Sequence, residues 1–105
     1  MMNEKALVEC LCFLYASDEE ERKKIKDLVS RDTGVVERLE KELAEASSPI
    51  EWILFRANFG LDDREPRTLL SLAEEYHVTR ERIRQIVQKV CIRLKHPVRR
   101  QEIIS

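Results

Sequence analysis

Residues 68–97 read TLLSLAEEYHVTRERIRQIVQKVCIRLKHP, and this stretch decides the fold. Apolar residues recur through its second half at helical spacing. They form one stripe: Ile83, Ile86, Val87, Val90 and Leu94. A shorter apolar helical pattern precedes it, and the two are separated only by a few residues around His77. Two helices joined by a tight turn predict a helix-turn-helix.

Local signals mark the ends of these two helices. Thr68 and Thr79 are good N-caps, because a threonine hydroxyl accepts a hydrogen bond from a free backbone N–H of the first helical turn. The turn between the helices needs a residue that tolerates positive φ, and His77 stands there. We therefore interpret His77 as a turn residue rather than a ligand. Pro97 disfavours helix at His96 and marks the predicted end of the second helix.

The face of the second helix opposite its apolar stripe carries residue types that recognise DNA bases. Arginine reads guanine, glutamine reads adenine, and glutamate accepts from cytosine in the major groove. The N-terminal part of the second helix makes these contacts in a helix-turn-helix. The predicted base-reading residues are Arg80, Glu81, Arg84 and Gln85, and Gln88 lies on the same face. The predicted phosphate contacts on either side are Arg82, Lys89, Arg93, Lys95, Arg99 and Arg100.

Composition and length limit the number of domains and the fold class of the chain. Its 105 residues fit one domain or two very small ones, and a hydrophobic content of 43% is enough for a packed core. With only two glycines and three prolines, the chain has few breaks and is predicted to be all-α.

Charge is distributed unevenly along the chain. Residues 1–47 hold eight Lys/Arg and twelve Asp/Glu, a balance of −4, whereas residues 48–105 hold eleven and eight, a balance of +3. From Thr79 to the end the count is eight bases against two acids. This contrast between an acidic N-terminal half and a basic C-terminal tail indicates that only one end of the chain binds a polyanion.

Residues 1–47, the front half of the chain, are predicted to form three helices. The first spans about Asn3 to Ala16, a capping box of Ser17 and Glu20 starts the second, and Asp32 or Thr33 caps the third. The third helix has apolar residues at helical spacing: Val35, Val36, Leu39 and Leu43. Its other charged residues are interpreted as an ordinary solvated face: Glu37, Arg38, Glu40, Lys41 and Glu42.

A boundary is predicted at residues 44–48, which divides the chain into an acidic helical segment, 1–47, and a DNA-binding segment, 48–105. Ser48 opens the second segment as an N-cap, with Pro49 at the first helical position and Glu51 completing a capping box. Gly60 is predicted to stop that helix, as glycine does after a helix end.

Catalytic and metal chemistry find little support in the sequence. Three cysteines are an odd number, and free cysteine commonly packs as a small core residue. A metal site is conceivable from cysteines 10, 12 and 91 with histidines 77 and 96, but their spacing matches no zinc pattern. There is no glycine-rich phosphate loop, no convincing metal set and no recognisable nucleophile–base pair, so we expect neither an enzyme nor a cofactor. No signal peptide or membrane span is visible, and the expected location is the cytoplasm.

Residues 50–103 resemble region four of housekeeping-type bacterial sigma factors, the RNA polymerase subunits that confer promoter specificity. The motif VTRERIRQI at 78–86 is highly specific and carries most of the resemblance. Shorter matches are FG at 59–60, LDD at 61–63, TL at 68–69 and LKHPVR at 94–99. The sequence departs from the family at Asn58, Leu70, Ser71 and Ala73.

The resemblance implies a function and partners. In that family this domain binds the minus-thirty-five promoter element and packs on the flap of the polymerase β subunit. By position, Arg80, Glu81, Arg84 and Gln85 resemble the base readers. Thr68 and Arg82 then contact or support the DNA backbone.

Nothing in residues 1–47 resembles the promoter-melting region of a sigma factor, so we expect this chain not to be a complete one. Those residues are interpreted as a spacer, a dimerisation or partner-binding module, a module that masks the basic face, or an extension of the core. The leading hypothesis is a promoter-binding factor that acts with polymerase. The alternatives are a polymerase- or partner-binding regulator with little DNA binding of its own, and one half of a split sigma factor that needs a second sigma-like protein.

Overall fold

The computed structural model describes residues 3–104. Within that range the chain forms α-helices and no strand, which confirms the all-α prediction. The helices of these residues are α1 (Glu4–Tyr15), α2 (Glu19–Arg31), α3 (Gly34–Ala46), α4 (Pro49–Phe59), α5 (Leu69–Tyr76), α6 (Arg80–Leu94) and α7 (Pro97–Ile104). None of them has the length and apolar character that crossing a membrane requires.

The start and end of α4 follow the predicted signals. The Ser48 hydroxyl accepts from the Glu51 backbone N–H at 3.4 Å, and the Glu51 carboxylate accepts from the Ser48 N–H at 2.8 Å, which completes the capping box. Gly60 ends the helix with φ of 74°, in the left-handed region. A Cβ at this position would lie 2.9 Å from Cγ of Pro66, so the turn needs glycine for space as well as for conformation.

The predicted capping box of Ser17 and Glu20 is wrong by one residue. Asp18 is the N-cap of α2, and its Oδ1 accepts from the Glu21 backbone N–H at 2.8 Å. A carboxylate is a stronger acceptor than a hydroxyl, and its charge is favoured at the positive end of the helix dipole. The Ser17 hydroxyl instead donates to the Glu21 carboxylate.

The charged face of α3 is only partly solvated, so the prediction for Glu42 and Arg38 is wrong. Glu42 is 5% exposed and pairs with Arg99 of α7. Arg38 is half-buried, and its guanidinium donates to Asp32 and to the carbonyl oxygen of Ile103. Both residues are covered because α7 packs against α3.

Helix α7 was not predicted. Pro97 does follow the end of α6, but it also begins a new helix, since the fixed φ of proline suits the first helical position. The side chain of His96 accepts from the Val98 backbone N–H at 3.2 Å. Ile103 is fully buried and anchors the helix to the core.

One apolar core joins both halves of the chain. It includes Leu11 of α1, Leu39 of α3, Phe55 of α4 and Ile83 of α6. Cysteines 10, 12 and 91 are unbridged and buried in the same core, as expected for small apolar residues. Only residues 47 and 48 separate α3 from α4, and the functional division between 1–47 and 48–105 stays a prediction.

Candidate nucleic-acid interface

The turn between α5 and α6 fixes where the polar face of α6 begins. His77 has φ of 56° and ψ of 42°, the left-handed conformation that its position predicted. The Thr68 hydroxyl caps α5 by accepting from the Ser71 N–H at 3.0 Å, and the Thr79 hydroxyl caps α6 by accepting from the Arg82 N–H at 3.1 Å. Both predicted caps are confirmed, and they give α6 a defined first turn.

Helix α6 separates a buried face from a polar one. Four residues of the predicted stripe are buried and the fifth, Ile86, is partly buried: Ile83, Val87, Val90 and Leu94. The predicted base readers are all exposed: Arg80, Glu81, Arg84 and Gln85. Helix α5 packs on α6, and its Leu72 and Ala73 are buried, so the core holds α6 from behind and leaves its polar face open.

The Arg84 guanidinium is hydrogen-bonded to two other side chains of α6, those of Glu81 and Gln88. Its Nε donates to Oε2 of Glu81 at 2.9 Å, and its Nη2 donates to Oε1 of the same carboxylate at 2.6 Å. Its Nη1 donates to Oε1 of Gln88 at 2.8 Å. The hydrogen bonds from Arg84 lower the pKa of Glu81, and the same bonds raise the pKa of Arg84. Glu81 and Arg84 therefore form one charged unit.

Arg80 and Arg82 are the most available cations of the first turns. Both are exposed, and within residues 3–104 neither side chain makes a hydrogen bond or an ion pair. Phosphate or base contacts by these two arginines would break no bond of the fold.

The other predicted phosphate contacts near α6 already have partners. Lys89 Nζ lies 3.3 Å from Oε2 of Glu51, and Arg93 Nη1 donates to Oε1 of Glu51 at 3.2 Å. Arg93 also donates to the Ala46 carbonyl oxygen at 2.7 Å. Lys95 Nζ lies 5.7 Å from the centre of the Phe13 ring. These three cations help to join α6 to other helices.

Arg99 and Arg100 lie on α7 and pair with acids of the front half. Arg99 Nη1 is 3.1 Å from Oε1 of Glu42 and 3.7 Å from Oε2 of Glu45. Arg100 Nη2 is 3.8 Å from Oε2 of Glu21. The opposite charge balances of residues 1–47 and of the tail were the signal that could have predicted this pairing. Carboxylates of residues 1–47 therefore pair with two arginines of the basic tail.

Glu51 was predicted only as a cap, and it has a second role. The Ser48 backbone hydrogen bond, followed by the contacts of Lys89, lowers the pKa of Glu51 from 4.5 to about 2 despite partial desolvation. Its side chain is 14% exposed. One carboxylate therefore caps α4 and also holds two cations of α6.

An apolar groove of about 450 Å³ runs beside the polar face of α6. Its rim includes Arg84 and Lys95. Phe13 of α1 and Ile92 of α6 line it while remaining 60% and 63% exposed. This groove could not be predicted from the sequence, because it forms between α1, α4, α5 and α6 only when the chain is folded.

Comparison with known proteins places the matching residues in one family. Residues 48–96 match the family model described as Sigma-70, region 4. The chain is 46% identical over 56 residues to RNA polymerase sigma factor SigA of Clostridium acetobutylicum, covering 53% of this chain and 15% of that protein. It is 40% identical over 65 residues to sigma factor RpoD of Neisseria gonorrhoeae, covering 62% and 10%. It is 43% identical over 74 residues to SigA of a Nostoc species, covering 70% and 18%.

The chain thus spans between a tenth and a fifth of the length of these relatives. No solved structure matches it.

Proposed function

Because residues 48–96 match the family model of sigma-70 region 4, we propose that this chain binds promoter DNA at a minus-thirty-five-type element, together with RNA polymerase. Region 4 belongs to transcription factors rather than to an enzyme family, so the proposed role includes no chemistry. A role at promoters requires a cytoplasmic location, which is part of the proposal.

The observation that carries the proposal is the exposed polar face at the start of α6. Arg80, Arg84 and Gln85 offer donors, and Glu81 offers acceptors, within the first two turns of a helix that the core supports from behind. A major groove about 12 Å wide admits one helix, and these residue types match base edges there. The left-handed turn at His77 lets α5 and α6 adopt the arrangement of a helix-turn-helix.

Residues around this face are proposed to hold the DNA backbone. Arg82 has no partner within the described chain, and Thr68 lies at the exposed start of α5. Lys89, Arg93 and Lys95 can add positive potential along α6 even while they keep their partners. Phosphate contacts of this kind set position and affinity without reading sequence.

Polymerase is proposed to dock in the groove beside α6, through the flap of its β subunit. The relatives are named as RNA polymerase sigma factors, and the groove shares Arg84 and Gln88 with the polar face. A groove occupant and a bound duplex would therefore lie side by side. The exposed Phe13 and Ile92 offer apolar contact, and Lys95 at the rim favours an acidic side chain on the partner.

A capture experiment tests the polymerase contact. Purified bacterial core polymerase should retain the wild-type chain on beads and should lose most of it when Ile92→Glu introduces a charge into the groove. Ile50→Glu is the matched control, since Ile50 is also exposed but lies on α4 outside the groove. Equal retention of both variants would contradict this docking site.

Selection from a randomised duplex library, followed by anisotropy titration of the enriched and scrambled duplexes, tests DNA binding. We expect an enriched motif that the chain prefers at least tenfold over the scrambled duplex at moderate salt. Equal affinities for the two duplexes across a salt series would contradict sequence-specific binding.

The pairing of Arg93, Arg99 and Arg100 inside the chain favours one alternative function. Cations already paired with carboxylates contribute less to phosphate binding, which fits a regulator that binds polymerase with little DNA binding of its own. Polymerase capture without an enriched DNA motif would favour that alternative. Promoter-dependent transcription that requires a second sigma-like protein would favour a split sigma factor.

A further inference from the structure

Gln88 lies one turn beyond the predicted base readers, and its side chain contacts one of them. Glu81, Arg84 and Gln88 are spaced i, i+3 and i+7, so Arg84 has one partner in the turn before it and one in the turn after it. Glu81 binds the Nε and Nη2 side of the guanidinium, and Gln88 binds Nη1 at 2.8 Å. Residues on both sides therefore fix the plane of the guanidinium.

The donors that remain on Arg84 are enough for one guanine. A guanidinium has five N–H donors, and three of them are used by Glu81 and Gln88. One N–H is left on each Nη nitrogen, and the Arg84 side chain is still 45% exposed. Guanine presents two acceptors, O6 and N7, in the major groove.

Gln88 is poorly arranged to read a base itself. Bidentate reading of adenine uses both the amide oxygen and the amide nitrogen of glutamine. The oxygen of Gln88 already accepts from Arg84, and a guanidinium only donates, so the orientation of the amide is fixed by that contact.

We infer that Gln88 is a positioning residue for base recognition, which together with Glu81 holds Arg84 ready to donate to a guanine. This inference rests on the proposed function. Holding a long side chain before binding removes the entropy loss of ordering it in the complex. Gln88 thereby contributes to sequence preference without contacting DNA.

Three variants separate positioning from other roles, measured by anisotropy on the selected duplex and its single-position substitutions. Gln88→Met keeps the length of the side chain but loses the acceptor. It should reduce discrimination at the position read by Arg84 by roughly two- to tenfold and leave other positions unchanged. Gln88→Glu keeps the acceptor and should keep that discrimination, although its charge weakens binding to all sequences. Gln101→Met, at an exposed glutamine on α7, is the control.

The decisive comparison uses the Arg84→Ala background, where Gln88→Met should have no further effect on base preference. A loss that persists there, or that falls at another position, would show that Gln88 reads DNA directly and would overturn the inference. Unchanged discrimination in Gln88→Met alone would overturn it as well.

NMR of the free protein tests the positioning without DNA. Rotation about the Cζ–Nη bonds of Arg84 should be slower in the wild type than in Gln88→Met. Equal rates would contradict the contact. If the wild type shows slow rotation but prefers no DNA sequence, the proposed function fails while the Arg84–Gln88 contact is retained.

Discussion

The phenol of Tyr15 on α1 donates a buried 2.7 Å hydrogen bond to the carbonyl oxygen of Leu94, the last residue of α6. The last carbonyls of a helix have no partner within that helix, so this bond satisfies a group that burial would otherwise leave unpaired. It also ties the front half of the chain to the end of the helix proposed to read DNA.

Replacing the phenol of Tyr15 tests whether the contact between α1 and the end of α6 stabilises the fold. Tyr15→Phe should lower the free energy of unfolding by about 1–3 kcal/mol, because the Leu94 carbonyl loses its partner in a buried place. Urea denaturation gives the value. Tyr76→Phe is the control, since within residues 3–104 the Tyr76 hydroxyl makes no hydrogen bond. Similar small losses for both variants would mean that α1 contributes little through this bond.

Glu51 should make the protein sensitive to acid. Its pKa is about 2 in the fold against an ordinary 4.5, first because the Ser48 backbone N–H donates to its carboxylate. A lowered pKa contributes stability above pH 4.5 that is lost as the pH falls from 4.5 towards 2. The contribution is at most about 3 kcal/mol.

Glu51→Gln tests this dependence, since glutamine can still close the capping box but carries no charge. The drop in unfolding free energy between pH 7 and pH 3, measured in urea, should be smaller in the variant than in the wild type. Glu65→Gln, in the exposed loop before α5, should leave the value at pH 7 unchanged. The same drop in Glu51→Gln and wild type would contradict the assignment.

Substitutions of Arg99 and Arg82 should have different effects, because Arg99 is proposed to stabilise the fold and Arg82 to bind DNA. Arg99→Ala leaves the buried Glu42 carboxylate without its nearest cation and should cost about 1–3 kcal/mol of stability, since Arg99 is partly solvated. Arg82→Ala should change stability by less than about 0.5 kcal/mol. It should nonetheless weaken binding to every DNA sequence by a similar factor. The reverse result, with Arg82 needed for folding and Arg99 not, would refute this division of roles.

The turn at residue 77 needs the left-handed conformation. His77→Gly should keep or slightly raise the stability, because glycine adopts a φ near 56° without strain. His77→Val should lower it by about 1–2 kcal/mol, since a β-branched side chain clashes in this region. Urea midpoints of the two variants give the comparison, and equal midpoints would indicate that the turn relaxes to another conformation.

Much of the fold could be predicted because its signals are local. Ser48, Thr68 and Thr79 cap the helices that follow them, and Gly60 and His77 take the left-handed conformations that the chain needs at those points. Each of these signals depends on residues within one helical turn, which a sequence displays directly.

The capping box of Ser17 and Glu20 failed by a shift of one residue, whereas other failed predictions depend on contacts between distant residues. Glu42 looks like a solvated acid on α3, and its burial follows from Arg99, which lies 57 residues later. Helix α7 was missed because a proline such as Pro97 can mark either the end of one helix or the start of the next. The Arg84–Gln88 contact was not predicted, although its i, i+4 spacing can be read from the sequence. The groove at Phe13 and Ile92 exists only in the packed fold.

The most direct test of the account is the base preference of Arg84→Ala, measured by anisotropy on the selected duplex and on each of its single-position substitutions. If Arg84 reads a base, discrimination should fall at one position by about 1–3 kcal/mol, with the other positions unchanged. An equal loss of affinity on every duplex would contradict base reading, because it would make Arg84 a contact to the DNA backbone.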